Sequence, residues 1–381
     1  MQKPVLLIIL CILGSFLCAE APAQINNPRK ITYRWKTNTK NRVVALSEIT
    51  GVVPRKTFPI IDFPQFYGKT RGLANFFRHE PVIAVAINGE AKAYPLNMLT
   101  MHEIANDSLG GIPILPTYCP LCNASIVYDR RLTFQGQTHL LEFEVSGMLR
   151  NSDMIMYDRQ TESWWQQLMG QCIVGDYAGS MLTVIPSLVL TVGEFFQRYP
   201  KGKILSHRTG TSVEGRYGNN PYVNYDNLNN SPFDQFIHPS KIDSRLPAME
   251  RVVDIRSGKK YKIYPFSIIR DQGVINDFFE GKNVVLFYQS DAVSVLDARQ
   301  ISQSKTVGTA TVFDAELNGR VLVFEKRNSH FIDQQTNSKW DVTGLCRQGS
   351  LKGQQLRIEP HSNHFAFAWL AFYPDTEIYL R

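Results

Sequence analysis

The chain repeats itself, and a repeated pattern must find the same local structure twice. EPVIAVAINGEAKAYPL returns as ERVVDIRSGKKYKIYPF, so that Glu80, Tyr94, Pro95, Asn106, Asp107 and Tyr118 each meet an identical residue 170 positions later without a gap. Further on, RNSDMIMYDRQTESWW is answered by RNSHFIDQQTNSKW, pairing Asp158 with Asp333, Thr161 with Thr336, Ser163 with Ser338 and Trp165 with Trp340 at an offset of 175. From Gly170 the offset is 174 and joins Cys172 to Cys346, Pro186 to Pro360 and Pro200 to Pro374. The expectation is two copies of one unit packed about a pseudo-twofold axis, a first repeat over 80–205 and a second over 250–381.

Within each copy the hydrophobic pattern calls for short strands. Val82–Ile87 alternates, Asn88 and Gly89 supply the two positive-φ positions of a tight turn, and Ala91–Tyr94 returns. Pro95 then opens a short helix that ends near His102. Further strands are expected at Ser125–Tyr128, Leu140–Val145 and Met154–Tyr157, and helices at Thr191–Tyr199 and Phe365–Tyr373, each stopped by proline. The fold class is therefore mainly β with a few helices (α+β), internally duplicated. With 44% hydrophobic residues in 381, such a chain can bury a large core. Residues 24–79 read as an extended lead-in whose Phe58-Pro59 and Phe63-Pro64 pairs suit a strap over the first repeat. Residues 206–249 form a connector too aromatic to be free, expected to be ordered with its tyrosines hydrogen-bonded.

What both copies share reads as scaffold; what only one keeps is the candidate for chemistry. Asn106 and Asp107 recur as Asn276 and Asp277 and are assigned to stabilising turns. His102, by contrast, becomes Gln272, Glu103 becomes Gly273, and CPLCNASIVYD aligns with QSDAVSVLD, which lacks both thiols. Cys119 is expected at the end of a strand and Cys122 in a turn stiffened by Pro120. This makes the first repeat the active copy and the second a degenerate one. Two thiolates and an imidazole suit zinc or monovalent copper, with His102, Cys119 and Cys122 as ligands and Asp107 or Glu103 as a fourth or supporting group. Glu103 and Asp153, the latter replaced by His330, are the candidates for proton transfer. Two other readings stay open. Cys119 and Cys122 can act as a thiol–disulfide oxidoreductase, although the β-prone residues after Cys122 do not offer the helix N-terminus that lowers a thiol pKa in such enzymes. Alternatively the protein is a non-catalytic envelope binding protein that uses Trp164, Trp165 and the tyrosine-rich connector.

At the start, an apolar run from Val5 to Leu17 follows a single lysine and is shorter than the roughly 20 residues of a membrane span. Ala21, Pro22 and Ala23 then offer a cleavage site, so residues 1–23 read as a secretory signal. The bulky Phe16 and Leu17 before Cys18 argue against a lipid anchor there. The mature chain is thus expected outside the cytoplasm, in the periplasm, the envelope or the medium, without a transmembrane domain. Its four remaining thiols would live in an oxidising compartment, Cys172 and Cys346 as matched core residues. The 41 basic and 34 acidic residues leave +7, but no basic run stands out, which excludes a nucleic-acid footprint. No glycine-rich phosphate loop is present. His139, His207, His238, His361 and His364 fall in no ligand spacing.

NGEAKAYPL, MHEIANDSLGGIPILPTYCPLCNAS, VSGMLRNSDMIMYDRQT, SWWQQLMG and AWLAFYPDTEIY together resemble the domain-of-unknown-function 3179 family, a mostly bacterial exported group, over the whole mature chain. The resemblance implies no particular activity. It implies that the His-Glu pair and the Tyr-Cys-Pro-Leu-Cys stretch, here His102, Glu103 and Tyr118 to Cys122, are family motifs. Asn123 and Cys172 depart from the glycine and alanine usual at those places.

Overall fold

A computed structural model describes residues 34–328 and 330–380. The leader and Cys18 lie outside the described residues. Strand dominates, 40% against 13% helix, which places the fold among mainly β, α+β proteins. The helices are short because each needs only to turn the chain between sheets.

Pro81–Ile87 and Glu90–Pro95 form a hairpin in register from Val82 opposite Pro95 to Ile87 opposite Glu90. Its turn residues have φ of 49° at Asn88 and 82° at Gly89, the left-handed pair that a two-residue hairpin requires. Leu188–Thr191 adds antiparallel on one side and Lys203–Leu205 parallel on the other, with Phe66–Tyr67 of the lead-in at the edge. The later hairpin, Arg251–Ser257 with Lys260–Pro265, runs in register from Val252 opposite Pro265 to Ser257 opposite Lys260. It is flanked by antiparallel Asn363–Phe365 and parallel Glu377–Ile378. After each hairpin comes one helix, Leu96–His102 or Phe266–Gln272, and then a three-stranded sheet. Strand Asn363–Phe365 packs on Ala124–Asp129, and Leu188–Thr191 on Thr309–Asp314, so each half's first sheet leans on the other half's second. One apolar cluster runs through both halves.

The sequence misplaces three details. Leu140 ends a separate strand, Gln137–Leu140, and the expected 140–145 strand begins instead at Phe143 and runs to Arg150. SVLD of the second half is not the counterpart of SIVYD: strand Lys282–Gln289 pairs with Thr309–Asp314 after an excursion over 290–308 that packs on the connector at Asn220, Asn224 and Tyr225. A four-residue turn in one half is a long loop in the other, and local similarity of apolar letters cannot reveal that. Asn106 and Asp107 do not stabilise turns either. The Asn106 amide accepts from Phe143 N (2.9 Å) and donates to Phe143 O (3.0 Å), completing a neighbouring sheet's edge with a side chain. Asn276 does the same to Phe324 at 2.8 and 2.7 Å.

Because Asn106 is buried, truncating it leaves a buried N–H and C=O unpaired, each costing about 1–3 kcal/mol. Asn106→Ala is expected to lower stability by about 2–4 kcal/mol in denaturant titration, and Asn276→Ala, at an exposed position, by less. Midpoints indistinguishable from the parent would contradict the clamp.

Candidate metal centre

Strand Ile112–Cys119 delivers Cys119 at its last position, and a single 3-10 turn, Pro120–Cys122, brings the second thiol back beside it. Proline suits the first position of that turn, where no N–H is needed. Asn123, at φ 50°, reverses the chain into strand Ala124–Asp129, and the Tyr118 hydroxyl ties the turn by donating to Asn123 Oδ1 at 3.1 Å. Opposite stands the tip of the hairpin Phe143–Arg150 with Asp153–Asp158. Asn151 and Ser152 make its turn at φ 50° and 64°, so Asp153 is the first residue of the returning strand.

These two turns meet in the interior. Cys119 Sγ, Cys122 Sγ and a carboxylate oxygen of Asp153 lie within 4.8 Å of one another, all three residues buried. Asp153 Oδ2 accepts from Gln166 Nε2 (2.6 Å) and Leu168 N (2.9 Å), whereas buried Oδ1 meets no N–H or O–H donor among the described residues, and the carboxylate's other hydrogen-bonding neighbours are the thiols of Cys122 and Cys119. The Ser152 carbonyl accepts from Cys122 Sγ at 3.4 Å. The connector roofs the site: Phe236 O takes the Ser152 N–H at 2.8 Å, and the Tyr225 hydroxyl donates to Leu121 O at 3.1 Å. Burial pushes the Asp153 carboxyl up to about 6 and raises both thiols. Burial, and then the charge of Asp153, brings Glu103 to about 8. Acids crowded in this way are costly to ionise together, and a bound cation is the natural counter-charge.

The other sequence candidates are placed as follows. Helix Leu96–His102 ends at His102 as expected, but the chain turns sharply at Glu103 and the two side chains diverge. The His102 ring does not join the thiols; its Nδ1 meets Pro59 O in the lead-in and its Nε2 meets the Tyr217 hydroxyl of the connector at 2.8 Å. Glu103 stays near the centre, since its carbonyl accepts from Tyr118 N at 2.8 Å, one residue before Cys119. Asp107 is held by Lys92 (2.8 Å) and the Tyr94 hydroxyl (2.6 Å). Asp277 is held alike by Lys262 and Tyr264, at 2.7 and 2.9 Å, which marks both as scaffold. Asp158 and Asp333 each accept from an indole, Trp165 or Trp340, at 2.9 Å. Cys172 and Cys346 are buried opposite those tryptophans. The sequence reading passed over Gln166 and the Leu168 N–H, which orient Asp153. At the 175 offset Gln166 faces Asp341, a difference of the kind that singled out His102 and Glu103.

The model of the family described as "Protein of unknown function (DUF3179)" matches residues 55–376. The chain belongs to the DUF3179 family. The match takes in both hairpins, the thiol turn and the Asp153 tip, so the whole centre lies inside the family's domain. No curated protein and no solved structure matches the chain. Among the described residues, no helix of this DUF3179 protein is long and apolar enough to cross a membrane.

Burial holds the folded-state pKa of His102 below its ordinary value, partly offset by the bond to Pro59. As pH falls through about 6.5, the unfolded chain takes up the proton first, so the stability due to neutral His102 is complete above that pH and lost below it. His102→Gln should therefore flatten the stability–pH profile between about pH 7 and 5 relative to the parent. Parallel profiles would show that the ring does not titrate differently on folding.

Proposed function

We propose that this is a metal-binding protein whose first half holds one divalent ion, best suited to zinc, on Cys119, Cys122 and Asp153. The observation that carries the reading is the gathering of three buried ligand atoms, Cys119 Sγ, Cys122 Sγ and an Asp153 carboxylate oxygen, within 4.8 Å of one another, with no N–H or O–H donor on the second Asp153 oxygen among the described residues. A buried carboxylate oxygen without a donor costs several kcal/mol unless something positive or protic occupies its free side. Two sulfurs and one oxygen are three of the four donors that zinc prefers, and an open fourth position is the pattern of exchangeable or catalytic zinc rather than of closed structural sites. Monovalent copper, which the thiols alone would suit, has less use for a carboxylate.

The thiol-redox reading is weaker here. A strand follows Cys122, so no helix dipole helps to form a thiolate, and burial raises both thiols where an oxidoreductase needs one lowered. We also infer that 80–205 and 250–381 descend from one duplicated unit, supported by the shared strand order, the equal hairpin registers and the paired Asn106 and Asn276 clamps. The centre would then be an acquisition, or a retention, of the first copy alone. Export by a cleaved leader over 1–23 is part of the same proposal and rests on the sequence.

Elemental analysis of protein purified without a metal-affinity step is expected to find about one zinc per chain. Cys119→Ser should abolish it and Asp153→Asn should weaken binding at least tenfold, whereas His102→Gln should leave the stoichiometry unchanged. Stoichiometric zinc that survives Cys119→Ser, or metal-free protein that takes up no added zinc, would reject the centre.

A further inference from the structure

Glu103 sits at φ 60°, ψ −32°, in the left-handed region that favours glycine. The second half places Gly273 at the same point, directly after its helix, at φ 74°, ψ −31°. Both residues also pass their carbonyl to the same partner, Tyr118 N or Tyr288 N. The backbone conformation therefore belongs to the scaffold, and glycine satisfies it without cost, whereas a glutamate adds steric strain. It adds burial as well: Glu103 is 7% exposed. Nothing in the fold's own stability accounts for a strained, buried acid in place of glycine.

Its surroundings supply the reason. The Glu103 carbonyl takes the N–H of Tyr118, the residue before Cys119, at 2.8 Å, which sets Glu103 next to the thiol turn, yet it is not one of the three groups whose ligand atoms crowd within 4.8 Å. Resting on the reading of Cys119, Cys122 and Asp153 as a zinc centre, we propose that Glu103 is a positioning residue of that centre: its carboxylate holds a water molecule in the fourth coordination position. Three protein ligands and a hydrogen-bonded water make a site that favours a four-coordinate divalent ion over monovalent copper, which is content with the two thiolates. It also leaves one position at which an external oxygen or nitrogen donor can replace the water. Strain of this kind, kept at a cost to stability, is found where a side chain is needed for function.

The test uses full-length mature protein and two variants, Glu103→Gly and Glu103→Gln. Zinc and monovalent copper affinities are measured by competition with chromophoric chelators, and thermal unfolding is followed on metal-free protein. Glu103→Gly is expected to raise the Tm of the metal-free protein, because strain and a buried acid are removed together. In the same variant zinc affinity should fall about 10–100-fold while copper affinity stays within a few-fold. Glu103→Gln, which keeps the strain and removes the charge, should lose zinc affinity with a smaller gain in Tm than Glu103→Gly. Zinc affinity unchanged in both variants would overturn the role of Glu103 even with Tm raised, and equal losses for zinc and copper would overturn the selectivity. Parent protein that binds no zinc would reject the centre itself, an outcome the parent measurement separates from failure of Glu103 alone.

Discussion

The relative placement of two sheets depends on a side chain that imitates a strand. Asn106 lies just before the three-stranded sheet that carries the thiols, and its amide exchanges two hydrogen bonds with Phe143, where the hairpin bearing Asp153 begins. An amide side chain offers the same donor and acceptor as a peptide unit, so it can continue a ladder where the backbone has turned away. Nearer the Asp153 tip the same two sheets are joined by the Gln167 amide, which donates to Thr117 Oγ1 and Ala124 O, and by Tyr128, whose hydroxyl donates to Gln167 O. The same device joins the corresponding sheets of the second half through Asn276, where no thiol pair follows. The clamp is architecture, and the chemistry is laid over it.

The centre is built against the grain of folding. Two thiols, the Asp153 carboxylate and the Ser152 carbonyl are gathered where an apolar core would be cheaper, and two positive-φ residues in succession, Asn151 and Ser152, form the tip that presents Asp153. Some of this is compensated locally: Gln166 and Leu168 N bind one carboxylate oxygen, and Phe236 O takes the Ser152 N–H. The rest is left open. Half-satisfied buried polar groups are the costliest arrangement a core can hold, and natural proteins retain them where an ion, a water or a substrate completes them. The second half dispenses with the burden by putting Gly273 for Glu103 and an excursion over 290–308 for the thiol turn.

The connector explains why this interior can remain separate from solvent. Tyr217 hydrogen-bonds His102, Tyr225 reaches the carbonyl of Leu121 between the two cysteines, and Phe236 binds the hairpin tip. These are single bonds from irregular chain to the rim of the site. Such a cover has less cooperative backbone pairing than the sheets beneath it, so it is the part of the fold whose local opening would cost least.

Much of this was written in the letters. Alternation in Val82–Ile87, the Asn88-Gly89 turn, the helix after Pro95 and the thiol at the end of Ile112–Cys119 are short-range consequences of side-chain period and turn chemistry, and each is found where the residues put it. Comparing the halves also isolated His102, Glu103, Cys119, Cys122 and Asp153 as what only the first half has. Which of these share a site was decided by tertiary structure alone. His102 and Glu103 are neighbours in sequence, but the imidazole goes to Pro59 and Tyr217 while the Glu103 carbonyl binds Tyr118 N, next to the first thiol. Asp153, 31 residues beyond Cys122, joins the two thiols because bonds between elements, Cys122 Sγ to Ser152 O and Gln167 Nε2 to Thr117 Oγ1 and Ala124 O among them, hold its hairpin against the turn. Pattern along a chain fixes which face a residue presents to its own element; which faces meet is settled by hydrogen bonds between elements, and those leave no period in the sequence.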